Sequence, residues 1–586
     1  MLAACGGSTS PAPAPSPSPI PANPVVDPCA AALGRSTLPR TVGSPSDKRL
    51  RADGHSPWRV LDNLWTHRTA ARRGFLNSQL RPAVAEDIGE IAVLEDAGDL
   101  VLPANAFDLT GRGIRFAPAG SVAYDATALL AEFRTPLGDR LSLGDDDGAE
   151  RALPFAFRLF DQSHTSVFVN SDGNLTFGEV DRASTERNLA RLLTGPPRAA
   201  PFLADLDPSA GGGVFYRTAA DAFTVTWCSV PGFDVPETTT FQISLLQDGA
   251  VEMRYGQSIG LGDAIVGVSP GRTTEFTAAD LSAGTTGSVA AVGERFSRTT
   301  QLDTVAVARA FYRSHPDAYD QLVVWTDARF TQDSFAWEAT VANEVQGIGL
   351  DLFDFSAEHG SGGRLRSFVM MDFIGKYPDD PTTVFLGANN TLSLLGQEAG
   401  HRWLVFLRVL DHNRRVSEAL LGRDSVHWSF FVDSDASVME GNDIADLGGG
   451  SFRTVAAVRR FSPLDQYAMG LVAESDVPAF FYVESPVNVS PSVEADSAPR
   501  IGVTFNGTRR DVLIQDIVAV MGRRVPGSST SPRVHRQAFL FVRSRGGTVD
   551  PAQVAKIDRI RRTWESFFVD ATDGRMRAET RLRPPS

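Results

Sequence analysis

Short runs of Val, Ile, Phe and Thr begin near Ile88 and are separated by Gly, Asp and Asn. This pattern is typical of antiparallel strands joined by tight turns. Residues 167–178 predict a hairpin whose turn is Ser-Asp-Gly-Asn, and residues 223–246 predict another, because apolar and polar residues alternate on both sides of each connection. The chain is therefore expected to contain an all-β, sandwich-like module over residues 88–272.

The pattern changes after this module. Gly, Thr and Ser dominate residues 273–300, which predicts a linker. Residues 301–586 combine strand-like runs with apolar residues at helical spacing, so they are predicted to form an α+β domain. Within it, residues 365–373 predict a strand at the edge of a sheet. Residues 392–410 are largely apolar and follow two asparagines suited to an N-cap, which predicts a long buried helix.

The N-terminal residues predict export from a bacterial cell. Leu2-Ala3-Ala4-Cys5 resembles a bacterial lipobox, in which the cysteine is lipidated, although the charged and apolar parts of a signal peptide are missing before it. Residues 1–29 are accordingly predicted to be a truncated lipoprotein signal followed by a Pro- and Ser-rich tether. The alternative is a chance cysteine near a cytoplasmic start. Residues 30–87 are basic and predict a helix from Trp58 to Leu76.

Composition narrows the range of partners. The 586 residues include 56 Lys and Arg against 70 Asp and Glu, which gives a formal net charge of −14. This balance disfavours nucleic acid as a partner. No run approaches the roughly 20 apolar residues that a membrane-spanning helix needs. We therefore expect contact with a membrane only through a lipid anchor, and a location at the cell envelope or in the extracellular space.

The cysteines limit the kinds of metal site. Only Cys5, Cys29 and Cys228 occur, so a cysteine-rich zinc site is excluded and any metal must be bound by His, Asp or Glu. Cys29 and Cys228 either pair in an oxidising compartment or remain free thiols. The sequence leaves both alternatives open.

Gln397, Glu398 and His401 form the pattern that most directly indicates chemistry. Gln397 and His401 are four residues apart, so they lie on one face of the predicted helix, with Glu398 beside them. In the zinc motif His-Glu-x-x-His, two histidines at this spacing bind the metal and the glutamate is the general base. The match fails at the first ligand, because the amide of Gln397 is a weaker zinc ligand than imidazole. A buried core histidine is the alternative for His401.

Three strings, GQEAGHRW, GRDSVHWSFF and FSPLDQYAMGL, resemble in this order a group of exported bacterial zincin-like proteins over residues 320–475. The resemblance implies a zinc site with four metal-binding candidates: Gln397, His401, His427 and Asp465. Glu398 is then the general base, and Tyr467 is expected to donate a hydrogen bond to the oxyanion. The alternatives are that His427 packs in the core and that Asp465 and Tyr467 cap or close a helix.

A second resemblance concerns the β module. The strings VNSDGNLTF, APFLADLDPS, TVTWCSVPGF and FQISLLQDGAVEMRYG are similar to the nidogen-like extracellular module over residues 150–272. The cysteines common in animal extracellular versions are missing. The predicted fold class is therefore multidomain: an all-β, nidogen-related module followed by a zincin-like α+β domain.

Three acidic segments are candidates for binding calcium. Asp145–Asp147, the pair Asp205 and Asp207, and the pair Asp433 and Asp435 supply the oxygen ligands that this ion prefers. The alternative is that they are solvated turn residues.

Two functions from different classes follow. The first is a cell-surface or secreted, zinc-dependent peptidase that acts on extracellular protein or peptide, with the β module binding substrate or matrix. The second is a catalytically inactive zincin-like lipoprotein that serves in adhesion or binding. The resemblance favours the first function, and the replacement of a histidine by Gln397 favours the second.

Overall fold

The computed structural model describes residues 28–33, 58–76, 85–183, 187–330 and 334–583. Cys5 and most of the predicted tether lie outside these residues. No helix within the described ranges is both long and apolar enough to cross a membrane. The described helices are α1 (Cys29–Leu33), α2 (Arg59–Arg72), α3 (Leu189–Thr194), α4 (Thr304–Tyr312), α5 (Thr391–Gly400), α6 (Pro463–Ala468), α7 (Ile514–Met521) and α8 (Pro551–Ala571).

Strands are the main element of the chain. The strands up to residue 302 are β1 (Glu86–Ile88), β2 (Ile91–Glu95), β3 (Val101–Leu102), β4 (Gly113–Pro118), β5 (Tyr124–Leu129), β6 (Asp139–Leu141), β7 (Gly148–Leu159), β8 (Gln162–Asn170), β9 (Asn174–Thr176), β10 (Arg198–Leu203), β11 (Gly213–Thr218), β12 (Ala222–Pro231), β13 (Thr238–Leu246), β14 (Val251–Ile259), β15 (Ala264–Ser269), β16 (Phe276–Ala278), β17 (Ala291–Phe296) and β18 (Gln301–Leu302). The later strands are β19 (Gln321–Thr326), β20 (Trp337–Thr340), β21 (Ala342–Asn343), β22 (Phe353–Asp354), β23 (Ser367–Phe373), β24 (Val409–Leu410), β25 (Val416–Ser417), β26 (Asn442–Gly448), β27 (Ser451–Ala457), β28 (Phe480–Val487), β29 (Thr504–Val512), β30 (Val534–Arg543) and β31 (Arg577–Glu579).

Two seven-stranded sheets pack face to face in the N-terminal half. One has the strand order β16-β17-β15-β10-β9-β8-β7, and the other has the order β5-β4-β14-β13-β12-β11-β6. Both predicted hairpins are present, since β8 pairs with β9 and β12 pairs with β13, each in antiparallel fashion. Apolar side chains from the two sheets share one core, in which the rings of Trp227 and Phe241 stack 4.9 Å apart. The predicted all-β module is therefore present in the structure.

The limits of this module differ from the predicted ones. Residues 273–300, predicted to be a linker, contain β16 and β17, which pair with each other and extend the first sheet. At the other end, β2 follows Ile88 but belongs to a different sheet, where it pairs with β30. Composition is a poor guide here, because short edge strands and linkers use the same Gly- and Thr-rich sequences, and only the pairing partner distinguishes them.

The C-terminal half is built on a third sheet with the order β1-β2-β30-β19-β23-β20, and β31 also pairs with β30. The strands β2, β30, β19 and β23 are parallel, whereas β20 runs antiparallel to β23 and forms the edge. Residues 365–373 therefore supply an inner strand, not the edge strand that the sequence suggested. An apolar run is typical of an inner parallel strand, because such a strand is buried on both faces.

Alternate residues of the inner strands face opposite sides of the sheet and pack into two different cores. On β19, Val323 and Trp325 belong to the core that contains α5 and α8, while Leu322 and Val324 belong to the core on the opposite face. A period of two is expected for a strand that is covered on both sides. The sheet thus provides the rigid layer on which α5 lies.

Helix α2 joins the two halves of the chain. Trp65 stacks on Phe276 of the sandwich with ring centroids 4.5 Å apart. Just past the helix, Arg73 forms ion pairs with Glu294 at 2.6 Å and Asp108 at 2.7 Å. The side chain of Glu294 is fully buried, so this contact anchors α2 to the sandwich. The described helical part of the basic segment therefore packs against the sandwich.

Cys29 and Cys228 form a disulfide, with their Cα atoms 5.3 Å apart. Of the two alternatives that the sequence left open, the structure shows the paired one. The bond attaches α1 to β12 across a sequence separation of 199 residues. Both cysteines are fully buried among Leu137 and Phe215.

Candidate functional site

Helix α5 begins with a capping box. The side chain of Asn390 accepts hydrogen bonds from the amides of Leu392 and Ser393, and the hydroxyl of Ser393 accepts one from the amide of Asn390. These bonds satisfy amides that the first helical turn leaves without partners. The N-cap that the sequence predicted is therefore present, and it sets where the following residues lie along the helix.

The helix is shorter than predicted. It ends at Gly400, and His401 is its C-cap residue, whereas the sequence suggested a helix as far as Leu410. Leu404, Val405 and Leu407 are still fully buried, but in irregular chain. An apolar run does not distinguish a buried helix from buried extended chain, which explains the difference. Gly400 lies close to its neighbours, since a Cβ there would be 2.6 Å from Sδ of Met439 and that side chain would have to move.

The two histidines of the predicted site lie side by side. The ring centroids of His401 and His427 are 4.9 Å apart, and the ring planes are nearly perpendicular. Nδ1 of His401 donates to the carbonyl oxygen of Leu404 at 3.0 Å, and Nδ1 of His427 donates to the carbonyl oxygen of Arg423 at 2.9 Å. Because carbonyls only accept, both Nδ1 atoms carry a proton, and in the neutral form of each ring the lone pair is on Nε2. Histidines that bind metals through Nε2 are oriented in this way.

Gln397 occupies the position of the missing first ligand. Its Nε2 donates to Nε2 of His427 at 3.1 Å, so the amide lies beside the ring nitrogen that would face a metal. The side chain is only 2% exposed, and Oε1 accepts no hydrogen bond from the described residues. The structure thus brings Gln397, His401 and His427 close together.

Glu398 lies next to this group and is buried. Burial raises the pKa of its carboxyl to about 7, although His401 and Arg423 act in the opposite direction. A second carboxyl, that of Glu338 on the edge strand β20, is affected by the charge of Glu398, and burial raises its pKa to about 8. A carboxyl that titrates near neutral pH is suited to act as a general base. Sequence reasoning missed Glu338, because nothing in its surroundings along the chain marks it.

The raised pKa of Glu398 predicts how stability depends on pH. Between about pH 4.5 and pH 7 the folded chain keeps a proton that the unfolded chain has released, so the free energy of unfolding should fall as pH rises through this window. A single group with such a shift contributes on the order of 3 kcal/mol. The measurement is urea unfolding of the metal-free protein at both ends of the window. The Glu398→Gln variant should lose part of the pH dependence, and an unchanged slope would contradict the assigned proton.

A cavity of about 560 Å³ opens above the helix. Gln397 and Glu398 line it on one side, and residues 334–336, just before β20, line it on another. The loop between β28 and β29 contributes residues that include Glu494 and Arg500. A cavity of this size is typical of sites for small ligands or a short length of peptide.

An ion pair that the sequence did not suggest also lines this cavity. Nε of Arg423 donates to Oε2 of Glu440 at 3.0 Å, and Nη2 donates to Oε1 at 2.5 Å. The side chain of Arg423 is 28% exposed, whereas that of Glu440 is 9% exposed. The sequence contains one indication that Arg423 belongs to the site. Arg423 is in the string GRDSVHWSFF and precedes His427 by four residues.

Asp465 does not join the histidines. Its two carboxylate oxygens accept hydrogen bonds from the indole of Trp428 at 2.9 Å and from the hydroxyl of Ser437 at 2.6 Å. Oδ2 also accepts from the amide of Ser462, the N-cap residue of α6. Asp465 therefore caps a helix, which was the alternative to metal binding. Burial raises the pKa of this carboxyl to about 6.

Tyr467 also lies elsewhere in the structure. It is on α6, where it is buried and its hydroxyl accepts a hydrogen bond from the amide of Arg524 at 3.2 Å. Tyr467 does not line the cavity, and neither do His401 and His427. The hydroxyl of Tyr467, the predicted oxyanion donor, therefore contacts the chain just after α7.

The acidic segments are engaged in ion pairs. Asp145, Asp146 and Asp205 have carboxylate oxygens within 4.8 Å of one another, so two of the separate calcium candidates meet in the structure. Arg187 occupies the same place, however, with ion pairs to Asp146 at 2.5 Å and Asp205 at 3.0 Å. A guanidinium neutralises the carboxylates that a cation would need.

The other acidic segment has similar contacts. Asp435 pairs with Arg460 at 2.5 Å, and Asp433 accepts a hydrogen bond from the amide of Ile444 at 3.0 Å. Burial, together with Asp443 and Asp435, raises the pKa of Asp433 to about 6. Both acidic regions are therefore parts of the described hydrogen-bond and ion-pair network.

Comparison with known families identifies one part of the chain. Residues 123–316 match the family model described as NIDO related. The β module is nidogen-related. The match begins just before β5 and ends after α4, so the nidogen-related module takes in most of the sandwich and extends beyond residues 150–272, where the resemblance was seen. No solved structure matches the chain at a significant level.

Proposed function

We propose that the chain is a metal-dependent peptidase of extracellular proteins, with Gln397, His401 and His427 as its metal ligands. One observation carries the proposal. The two imidazoles lie 4.9 Å apart, each fixed through Nδ1 by a backbone carbonyl, and the amide of Gln397 reaches the same place beside a cavity that Glu398 lines. A histidine that binds a metal through one ring nitrogen usually donates the N–H of the other to a carbonyl or carboxylate.

The donor set fits zinc, though weakly. Two neutral imidazoles are good zinc ligands, and the buried Oε1 of Gln397 is an oxygen donor that accepts no hydrogen bond from the described residues. When bound at such a site, zinc supplies Lewis-acid polarisation of a substrate carbonyl. An amide oxygen carries no charge, so the affinity should be lower than that of a site with three histidines.

The remaining residues have roles that follow from their positions. Glu398 has a pKa of about 7 and lines the cavity, so it accepts a proton from an attacking water. The cavity accepts the peptide, and its walls exclude bulk water from Glu398. The nidogen-related module, attached through α2, holds the substrate or the surrounding matrix.

Several features agree with export. A disulfide such as that between Cys29 and Cys228 persists in oxidising compartments and is rare in the cytosol. Together with the lipobox-like sequence at Cys5, it supports a lipid-anchored or released protein outside the cytoplasm.

One contact favours a second candidate, a binding lipoprotein without catalysis. The hydrogen bond from Nε2 of Gln397 to Nε2 of His427 uses the lone pair that a metal would need. In that case the amide replaces the metal as the group that holds the histidine, and the domain remains as a scaffold.

Metal content and a single substitution separate the two candidates. Gln397→His should raise the affinity for zinc by at least about 100-fold, since even groups that only support a ligand contribute about 10- to 100-fold. The dissociation constant is measured by competition with a chromophoric chelator. Gln397→Leu, which keeps the size but removes the amide oxygen, is the matched control and should bind zinc less tightly than the wild type.

Each outcome favours one candidate. Stoichiometric zinc in the wild-type protein, together with cleavage of a mixed peptide library, supports the peptidase. A metal-free, inactive wild-type protein that gains zinc on Gln397→His supports the binding lipoprotein. If Gln397→His binds no zinc, the two histidines are core residues and both accounts of the site are wrong.

A further inference from the structure

Arg423 presents hydrogen-bond donors that the protein itself does not use. Glu440 accepts from Nε and Nη2, and Nη1 makes no hydrogen bond to any described residue. The guanidinium lines the cavity beside Glu398 and is close enough to lower the pKa of that carboxyl. A buried carboxylate that holds two of the three nitrogens fixes the direction of the third.

The backbone of Arg423 ties this donor to the histidines. Its carbonyl oxygen accepts from Nδ1 of His427, so a single residue orients the ring and places a guanidinium in the cavity. The residue is the first of a short 3-10 turn, Arg423–Ser425. The position of the cation is therefore coupled to that of the histidine.

We propose that Nη1 of Arg423 binds an oxygen anion in this cavity and serves as the oxyanion donor that the sequence assigned to Tyr467. This inference rests on the proposed peptidase function. When water adds to the carbonyl carbon of a peptide and gives its proton to Glu398, the electron pair of the carbonyl double bond moves to the oxygen. That oxygen becomes negatively charged, and a fixed N–H donor stabilises it.

The test uses a tetrahedral anion, so that it does not depend on catalysis. Phenylphosphonate is titrated into zinc-stripped full-length protein, and binding is followed by phosphorus NMR. Arg423→Met should weaken binding at least about 10-fold, since it removes a charged hydrogen bond in a partly enclosed site. The bond from His427 to the carbonyl of residue 423 is made by backbone and is retained in the variant.

Two further variants control for folding and for charge. Arg423→Lys keeps the ion pair with Glu440 but has one nitrogen in place of three, so it should fold normally and still bind the phosphonate more weakly. Arg272→Met removes an exposed cation of the β module that does not line the cavity, and it should leave binding unchanged. Equal binding by the wild-type and both Arg423 variants, or no binding by the wild type, would overturn the inference.

The catalytic readout distinguishes this inference from the proposed function. In zinc-loaded protein that cleaves peptides, Arg423→Met should lower kcat by about 100- to 1,000-fold with little change in KM, because the donor acts on the transition state. An unchanged kcat would overturn the oxyanion role even if the peptidase is real. Phosphonate binding that depends on Arg423, without any peptide cleavage, would reject the peptidase and keep the anion site.

Discussion

Glu398→Gln should lower kcat for peptide cleavage by about 100- to 10,000-fold, the usual contribution of a positioned general base. The amide has nearly the same shape as the carboxylate but cannot accept the proton from water. Burial raises the pKa of Glu398 to about 7, so the base is active when deprotonated, and the variant has no such group at any pH. The measurement is steady-state cleavage, by zinc-loaded protein, of a peptide selected from the library.

The control for this variant is another buried carboxyl. Glu338→Gln removes a carboxyl that lies near Glu398 but is held by the hydroxyl of Thr340 at 3.1 Å, on the edge strand. It should change the rate much less than Glu398→Gln does. Equal zinc content in the wild type and the variant confirms that the loss is not a loss of metal. Unchanged cleavage by Glu398→Gln would show that the activity comes from another group.

Arg198→Met should lower the free energy of unfolding by about 3–5 kcal/mol, the usual effect of removing one partner from a buried ion pair. Arg198 is 1% exposed and pairs with Asp181 at 2.5 Å, and it also donates to Asn174 at 2.7 Å. Burial alone would raise the pKa of Asp181, but Arg198 and Arg191 outweigh it and hold the pKa below its ordinary value. The substitution leaves this buried carboxylate with one guanidinium partner fewer.

Arg272→Met is the matched control in the same module. Arg272 and Glu179 form an ion pair at 2.5 Å, but their side chains are 68% and 61% exposed. Pairs of this kind contribute about 0–1 kcal/mol, because water competes with the contact. Urea unfolding of both variants should separate them clearly. If both variants lose equally little free energy of unfolding, the prediction is wrong and water has access to the Arg198 ion pair.

The sequence was a good guide to elements that depend on neighbouring residues. The hairpin through β8 and β9 is present because a Ser-Asp-Gly-Asn turn sets its own geometry. The capping box at Asn390 is present for the same reason, since its bonds join residues three apart. The start of α5 and the common face of Gln397 and His401 were therefore predictable.

The pairing partners of strands and the ends of helices were predicted less well. β2 reads as the first strand of the sandwich, but it pairs with β30, more than 400 residues later in the chain. The last residue of α5, Gly400, lies against Met439 and Phe461, which are far from it in sequence. Such contacts are absent from the local pattern, because they involve segments that meet only after folding.

The sequence by itself determined the chemistry available to the site: Glu398, His401 and an amide at the first ligand position, spaced along a helix. Only the tertiary structure decided which distant groups join them. It places His427 against Gln397 and Arg423 in the cavity, and it gives Asp465 and Tyr467 to other contacts. The reason is physical, since the spacing of residues on one helix follows from its geometry, whereas contacts between separate segments depend on how the whole chain packs.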